Sequence, residues 1–192
     1  MTQTQLQRAV SNLLEQSDFI EARPYLEVMV ERFEGEGPEI KKNLISVYYY
    51  LGVGYMVEYG QTGKNQNLNE AIEWFERLEK EFPNNEYAVT LNLTMADANR
   101  GLQQFDKAAA IYKKLLSPPL EVKLDAAQRL EALKKVSECY YILRDWKEGI
   151  PMFEAYLRAS SDPKDRANAA AALMEAYIEE EKFDETLKLL PT

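Results

Sequence analysis

Histidine is absent from this chain of 192 residues, and cysteine occurs once. Without histidine the chain lacks imidazole acid–base catalysis, histidine-based triads and HExxH zinc sites. The single cysteine, Cys139, excludes a disulfide within the chain. Its position beside the predicted core indicates a small buried side chain rather than a nucleophile. Carboxylate, lysine or serine chemistry is all that the composition leaves to an enzyme.

Positive charge and long apolar runs are also scarce. The formal net charge is −9, and Lys and Arg never form a run longer than two. A protein that follows the phosphate backbone of a nucleic acid needs a cationic stripe instead. No stretch approaches the ~20 apolar residues that span a bilayer, and the N-terminus has neither part of a signal peptide. We therefore expect no nucleic-acid partner and no membrane span, in a chain that is cytoplasmic or already trimmed.

Apolar residues recur at helical spacing along nearly the whole chain, and no convincing stretch alternates with period two. Glycine- and proline-containing breaks separate these helical segments at short intervals. The pattern predicts an all-α fold of antiparallel helix pairs with short connections.

One helix start recurs five times. The segment "DFIEARPYLE" at 18–27 shares Asp, Pro and both Glu positions with "DWKEGIPMFE" at 145–154, and segments beginning at 67, 104 and 182 fit the same frame. Three copies open with a predicted N-cap, at Asp18, Asn67 and Asp145. Small residues then stand where a neighbouring helix is expected to cross: Ala22, Ala71, Ala108, Gly149 and Thr186. Large apolar residues follow four places later: Leu26, Phe75, Tyr112, Phe153 and Leu190.

This pattern resembles the tetratricopeptide repeat (TPR), a helix-turn-helix unit of about 34 residues. The match is best in the second repeat, at Leu51, Gly52, Tyr55, Ala71, Phe75, Leu78 and Pro83. Val10 and Asn99 depart from it, and the spacings exceed the usual period. The resemblance implies an α-solenoid of about five repeats, forming one domain over 1–192. The predicted repeats are 2–35, 38–83, 86–118, 120–160 and 162–191.

The stretch "YGQTGKN" at 59–65 is rich in glycine and contains Gly-Lys, as a phosphate-binding loop does. Such a loop needs glycine where Glu58 stands and a hydroxyl where Asn65 stands. Gly52 and Gly54 lie within a helical pattern rather than after a strand. We interpret the stretch as an insertion in the turn of the second repeat. Since the acidic runs also lack the Asp/Asn ladder of a calcium loop, we predict no cofactor, no metal site and no catalytic residue.

In TPR proteins the first helices line a concave face that binds extended peptides or partner helices. Three consecutive tyrosines at 48–50 point in three directions, so at least one should be exposed. Ordinary surface residues are the alternative interpretation of such positions. The residues predicted on this face lack the Lys/Asn/Arg arrangement with which some TPR proteins hold a C-terminal carboxylate. The resemblance places these residues on the partner-binding face: Tyr49, Val53, Met56, Leu93, Asp97, Arg100, Lys134, Glu138, Tyr141, Glu175 and Ile178.

We therefore predict a non-catalytic scaffold that binds a protein or peptide. The step from Phe82 to Ala88, "FPNNEYA", resembles repeats of bacterial envelope proteins, which implies an envelope assembly; a periplasmic and a cytoplasmic location both stay open. The alternatives are an oligomerisation segment of a larger multidomain protein and a regulatory subunit of an enzyme. Leu187 and Leu190 have no following repeat to cover them, which favours a segment of a longer protein, a homo-oligomer or a partner at the terminal repeats.

Overall fold

The computed structural model describes residues 1–189, apart from the side chains of Pro38 and Glu39. Strands are absent from this part of the chain, so the all-α prediction is confirmed. None of its helices is both long and apolar enough to cross a membrane. The helices are α1 (Gln3–Glu15), α2 (Phe19–Phe33), α3 (Pro38–Lys41), α4 (Leu44–Thr62), α5 (Asn65–Glu81), α6 (Ala88–Gly101), α7 (Phe105–Leu115), α8 (Ala126–Leu143), α9 (Trp146–Ala159), α10 (Pro163–Glu179) and α11 (Phe183–Lys188).

These helices form two compact units, one over Met1–Leu102 and one from Gln103 onward. In the first unit α1 packs on α2, α2 on α4, α4 on α5, and α5 on α6. In the second unit α7 packs on α8, α8 on α9, α9 on α10, and α10 on α11. Packing in chain order is the arrangement of helical repeat proteins. The single domain over 1–192 and its five repeat boundaries stay predictions.

Small residues let the helices approach closely, and the pair of glycines in α4 shows how. A Cβ atom at Gly52 would lie 2.2 Å from Cε1 of Phe75 in α5. A Cβ atom at Gly54 would lie 2.8 Å from Cγ of Arg23 in α2, and the guanidinium of Arg23 pairs with Glu58 at 2.7 Å. The two glycines therefore admit α5 on one side of α4 and α2 on the other. Their predicted place inside a helix is confirmed.

The predicted crossing and filling positions are buried in the first four copies of the helix start. Crossing residues with no exposed surface are Ala22, Ala71 and Ala108, and Gly149 is also buried. The large residues that follow them are at most 1% exposed: Leu26, Phe75, Tyr112 and Phe153. In the fifth copy Thr186 is half-buried and the first apolar residue, Phe183, is 58% exposed. Leu190 lies outside the described residues.

The glycine-rich stretch at 59–65 is not an enlarged turn, which corrects the interpretation made from the sequence. α4 runs to Thr62 and α5 starts at Asn65, so only Gly63 and Lys64 separate them. Gly63 has φ 65°, a left-handed conformation that ends α4 within one residue, and its N–H donates to the carbonyl of Tyr59 at 2.7 Å. The extra length of this repeat is therefore helix rather than loop.

Two of the three predicted N-caps are wrong in detail. Asn67 lies inside α5, where its side-chain amide donates to the hydroxyl of Thr62 at 3.1 Å and ties the start of α5 to the end of α4. Asp18 precedes α2 without a side-chain capping hydrogen bond. Asp145 caps α9 as predicted, accepting from the N–H of Glu148 at 3.2 Å.

We predict that Gly52→Ala destabilises the protein by about 1–3 kcal/mol, because the added methyl group overpacks against the buried ring of Phe75. Urea unfolding monitored by circular dichroism measures the change. Gly60→Ala is the matched control, since Gly60 is exposed in the same helix with no neighbouring atom within 4 Å of an added Cβ. It should be neutral or stabilising by up to about 1 kcal/mol. Equal stability of Gly52→Ala and the wild type would contradict this account of the helix crossing.

Candidate functional site

A groove opens between α8 and α10 in the second unit, with α9 beneath it. Its volume is about 410 Å³, which falls within the range of about 300–1,000 Å³ found for ligand clefts. One wall comes from α8 and contains Lys134, Ser137, Glu138, Tyr141 and Ile142. The opposite wall comes from α10 and contains Asn168, Ala169, Ala171, Ala172 and Glu175.

The floor of the α8–α10 groove is apolar and comes from α9. Phe153 is 1% exposed and Tyr156 is 4% exposed, and Tyr156 also packs in a core cluster with Leu133. α9 lies close to α8 because Gly149 has no side chain: a Cβ atom there would stand 3.2 Å from Cβ of Tyr140. The floor is therefore held in place by the packing of the repeat itself.

One end of the groove carries a hydrogen-bonded group of three side chains. The hydroxyl of Tyr141 donates to Oε2 of Glu175 at 2.7 Å, and a guanidinium N–H of Arg144 donates to Oε1 at 2.8 Å. These two donors hold the pKa of Glu175 below its usual value, and the carboxylate in turn raises the pKa of the Tyr141 phenol. Arg144 ends α8 in a left-handed conformation with φ 55°, and its guanidinium lies 5.5 Å from the ring centre of Trp146.

An ion pair lies at the opposite end of the groove. Nζ of Lys134 in α8 approaches Oδ1 of Asp165 in α10 at 3.2 Å, and this contact raises the pKa of Lys134. Asp165 is held in the first turn of α10, where its N–H donates to the capping carboxylate of Asp162 at 2.9 Å. The apolar floor is thus bounded at each end by charges that already have partners.

Four residues proposed from the sequence meet in this groove: Lys134, Glu138, Tyr141 and Glu175. Ile178 lies one turn beyond Glu175 on α10 and is 50% exposed, outside the lining. The residues proposed on α4 and α6 lie in the first unit and are all half-buried: Tyr49, Val53, Met56, Leu93, Asp97 and Arg100. The complete eleven-residue surface stays a prediction.

The three consecutive tyrosines are more enclosed than the sequence suggests, which corrects the expectation that one is exposed. Tyr48 is fully buried, and Tyr49 and Tyr50 are half-buried. The ring of Tyr49 stacks on Tyr87 with centroids 4.1 Å apart and an interplanar angle of 9°. Burial raises the pKa of Tyr87 to about 12. Ring stacking between α4 and the start of α6 therefore covers part of Tyr49.

Sequence reasoning missed the floor, the alanines of the α10 wall, and Arg144. The repeat pattern predicts helix packing alone for Phe153, although a residue that fills the space beneath two first helices also faces the groove between them. Arg144 directly precedes the capping residue Asp145, and that position after a helix end was the available signal.

A second groove was also missed. It lies in the first unit between α1 and α4 with α2 beneath it, and its volume is about 320 Å³. Leu26 and Met29 form its floor, and Val47 and Tyr50 belong to its α4 wall. None of the four was proposed as a binding residue.

The described residues show little that indicates reaction chemistry. Cys139 is buried in α8 with no exposed surface, as expected from its position in the repeat. Groups of three or more His, Cys, Asp or Glu residues placed to hold a metal ion do not occur within residues 1–189. What the two grooves offer is shape, apolar surface and fixed polar groups.

The chain has the fold of a TPR-like helical repeat protein. Known protein-family models do not match the chain, and a search of curated proteins also finds no match. Among solved structures, MamA AMB-1 aligns with a TM-score of 0.64 and 16% identity over 97% of this chain and 87% of its own. MamA MSR-1 aligns with a TM-score of 0.57 and 16% identity, covering 97% of this chain and 91% of its own.

A third similar structure, from Podosopora anserina, is described as "putative kinesin light chain nearly identical TPR-like repeats". It aligns with a TM-score of 0.57 and 15% identity over 97% of this chain and 90% of its own. At such low identity these likenesses concern the fold, and they confirm the TPR-like solenoid predicted from the repeat.

We predict that Tyr141→Phe raises the pKa of Glu175 towards its ordinary value, because the variant removes the hydrogen-bond donor that contributes most to the lowered pKa. The rise should be partial, since Arg144 still donates to the other carboxylate oxygen. Titration of the side-chain carboxyl carbon by NMR measures it. Tyr25→Phe is the control, because Tyr25 lies on α2 in the other unit. An unchanged pKa in Tyr141→Phe would show that the Tyr141–Glu175 hydrogen bond does not form in solution.

Proposed function

We propose that this chain is a non-catalytic scaffold that binds a segment of another protein in the α8–α10 groove. One observation carries the proposal: a single open cavity brings together an apolar floor, an alanine-rich wall and hydrogen-bonded polar groups at both ends. The TPR-like fold supports it, because helical repeat proteins commonly bind partners on extended surfaces between their repeats.

The floor supplies the main favourable term for such a partner. An apolar side chain placed over Phe153 loses contact with water, which contributes about 25 cal/mol per Å² of buried apolar surface. Ala169 and Ala172 make a low wall, so a partner backbone can lie close to α10. The preferred occupant therefore presents at least one large apolar side chain.

The polar side chains at the two ends of the groove already have partners, which favours binding without large rearrangement. Glu175 is held by Tyr141 and Arg144, and Lys134 is held by Asp165. Groups fixed before binding lose less conformational entropy when the partner arrives. Their remaining lone pairs and donors can set the register of a partner backbone, while the floor provides the affinity.

We predict that Ala172→Arg weakens peptide binding to this groove, because the long side chain occupies the space above Phe153. Peptides are first selected on the wild-type protein from a library of random 12-residue sequences, and isothermal titration calorimetry then measures their affinities. We expect a loss of at least tenfold, or about 1.4 kcal/mol.

Ala110→Arg is the matched control for this test, because Ala110 is exposed on α7 of the same unit. It should leave every affinity unchanged. Tyr141→Ala should weaken binding as well, since it removes a ring from the α8 wall. If every selected peptide binds the wild type, Ala172→Arg and Tyr141→Ala equally, the assignment of the groove is refuted.

Self-association is a second candidate function, favoured by apolar surface on α10 and α11. Ile178, Phe183 and Leu187 are 50%, 58% and 64% exposed. Exposed carboxylates at Glu179 and Glu180 stand beside them. Two copies meeting here would bury apolar surface against like-charge repulsion, so salt should strengthen their association.

Sedimentation velocity in low and high salt tests this candidate. We expect a concentration-dependent dimer that grows with ionic strength and is lost in Leu187→Glu. Val122→Glu is the matched control, because Val122 is 80% exposed and should tolerate a charge. A monomer at every concentration and salt would exclude self-association through this surface.

A place in a bacterial envelope assembly belongs to the same proposal. It rests on the resemblance of the step from Phe82 to Ala88, which comprises the connection between α5 and α6 and the first residue of α6. Fractionation of the cells that make this chain tests it, and recovery in the cytoplasmic fraction alone would contradict it.

A further inference from the structure

The α1–α4 groove of the first unit and the α8–α10 groove of the second are built on equivalent residues. Leu26 and Phe153 occupy the same position in the repeated helix start, 127 residues apart, and both form floors. Met29 and Tyr156 are separated by the same 127 residues and stand one turn later in both floors. Each groove lies above a second helix and between two first helices. The helix packing that opens one groove therefore also opens the other.

The two grooves differ in charge. Lys134, Glu138 and Glu175 line the α8–α10 groove, whereas the lining described for the α1–α4 groove contains no charged side chain. This neutrality does not reflect a lack of charge nearby, because residues 1–102 carry 9 Lys and Arg and 16 Asp and Glu. Charge is present throughout the first unit and is kept out of its groove.

The neutral groove combines apolar surface with amides and hydroxyls. Val47 and Tyr50 stand on its α4 wall, and Tyr50 is held by Phe19, whose ring centre lies 6.2 Å away. Met29 is flexible and can adapt to differently shaped side chains. Gln7 of α1 and Asn43 at the start of α4 offer both donors and acceptors across the opening, the combination that pairs with a peptide backbone.

We infer that the α1–α4 groove is a second, separate binding site, which takes an extended peptide segment with uncharged apolar side chains. Burial of a lysine or glutamate there would desolvate a charge without a partner, so charged segments are rejected. Backbone pairing to Gln7 and Asn43 orients the segment, and the floor takes its apolar side chains. The inference rests on the proposed function in one respect, namely that this protein binds peptide segments in grooves between its first helices.

Occlusion variants test the two sites separately. Ser46→Arg places a long side chain in the α1–α4 groove, and Ala172→Arg does the same in the α8–α10 groove. Asn69→Arg and Ala110→Arg are the exposed controls, one in each unit. The probes are peptides selected on the wild-type protein from a library of random 12-residue sequences, with affinities measured by isothermal titration calorimetry.

We expect the selected peptides to fall into two classes. One class lacks Asp, Glu, Lys and Arg in its shared motif, loses at least tenfold in affinity with Ser46→Arg, and is unaffected by Ala172→Arg. The other shows the reverse response. When one peptide of each class is titrated together, the numbers of bound peptides should add to two per chain.

Three results would overturn the inference: no peptide sensitive to Ser46→Arg, a sensitive class whose motif is charged, or competition of all peptides for one site. Loss of every peptide with Ala172→Arg and none with Ser46→Arg would leave the proposed function standing and remove the second site. If some peptides lose affinity with Ser46→Arg but none loses affinity with Ala172→Arg, that result counts against the proposed function. If Ser46→Arg lowers the melting temperature, Gln7→Arg on the opposite wall gives the same test.

Discussion

Close contact between helices at residues with little or no side chain is the constraint on which the rest of this structure depends. At Gly52 the ring of Phe75 occupies the space that a methyl group would need, and at Gly149 the backbone of α9 comes close to Tyr140. These approaches set how deeply each second helix sits between its neighbouring first helices. Because the second helices sit deep, the first helices stand above them as walls, and grooves form between those walls.

The same packing also decides what each groove can contain. Floor residues are part of the core, so they are large and mainly apolar, as Phe153 and Leu26 show. The walls combine buried residues, such as Val47 and Ala169, with more exposed side chains that face the groove. The α8–α10 groove has charged side chains on its walls, whereas the walls of the α1–α4 groove have neutral polar side chains. A single architecture therefore holds two surfaces of different chemistry.

The sequence predicted the fold well because the repeat records helix crossings directly. Ala22, Ala71 and Ala108 had to be small for a neighbouring helix to approach, and that requirement is visible without a structure. The glycine-rich stretch at 59–65 does not distinguish a loop from a helix end by sequence alone, because glycine is common in both. Only the conformation of Gly63 shows that a single residue ends α4.

Part of the lining of the α8–α10 groove could be predicted from the sequence, for a physical reason. Residues on one face of α8 and α10 recur at helical spacing, so Lys134, Glu138, Tyr141 and Glu175 could be found together. Tyr49 could not be placed, because neighbouring residues on a helix point about 100° apart and a small rotation moves a ring from open surface to a stack on Tyr87. The floor residues could not be recognised as part of a groove from the sequence, because the same side chains already fit the helix-packing pattern.

The burial of Cys139 makes its thiol a reporter of the opening of the second unit. Its thiol is the only one in the chain and has no exposed surface, so thiol reagents reach it only when α8 separates from its neighbours. The rate of its modification under native conditions thus reports the opening of the second unit. Cysteines introduced on the surface can meanwhile be labelled selectively, since the native thiol does not compete.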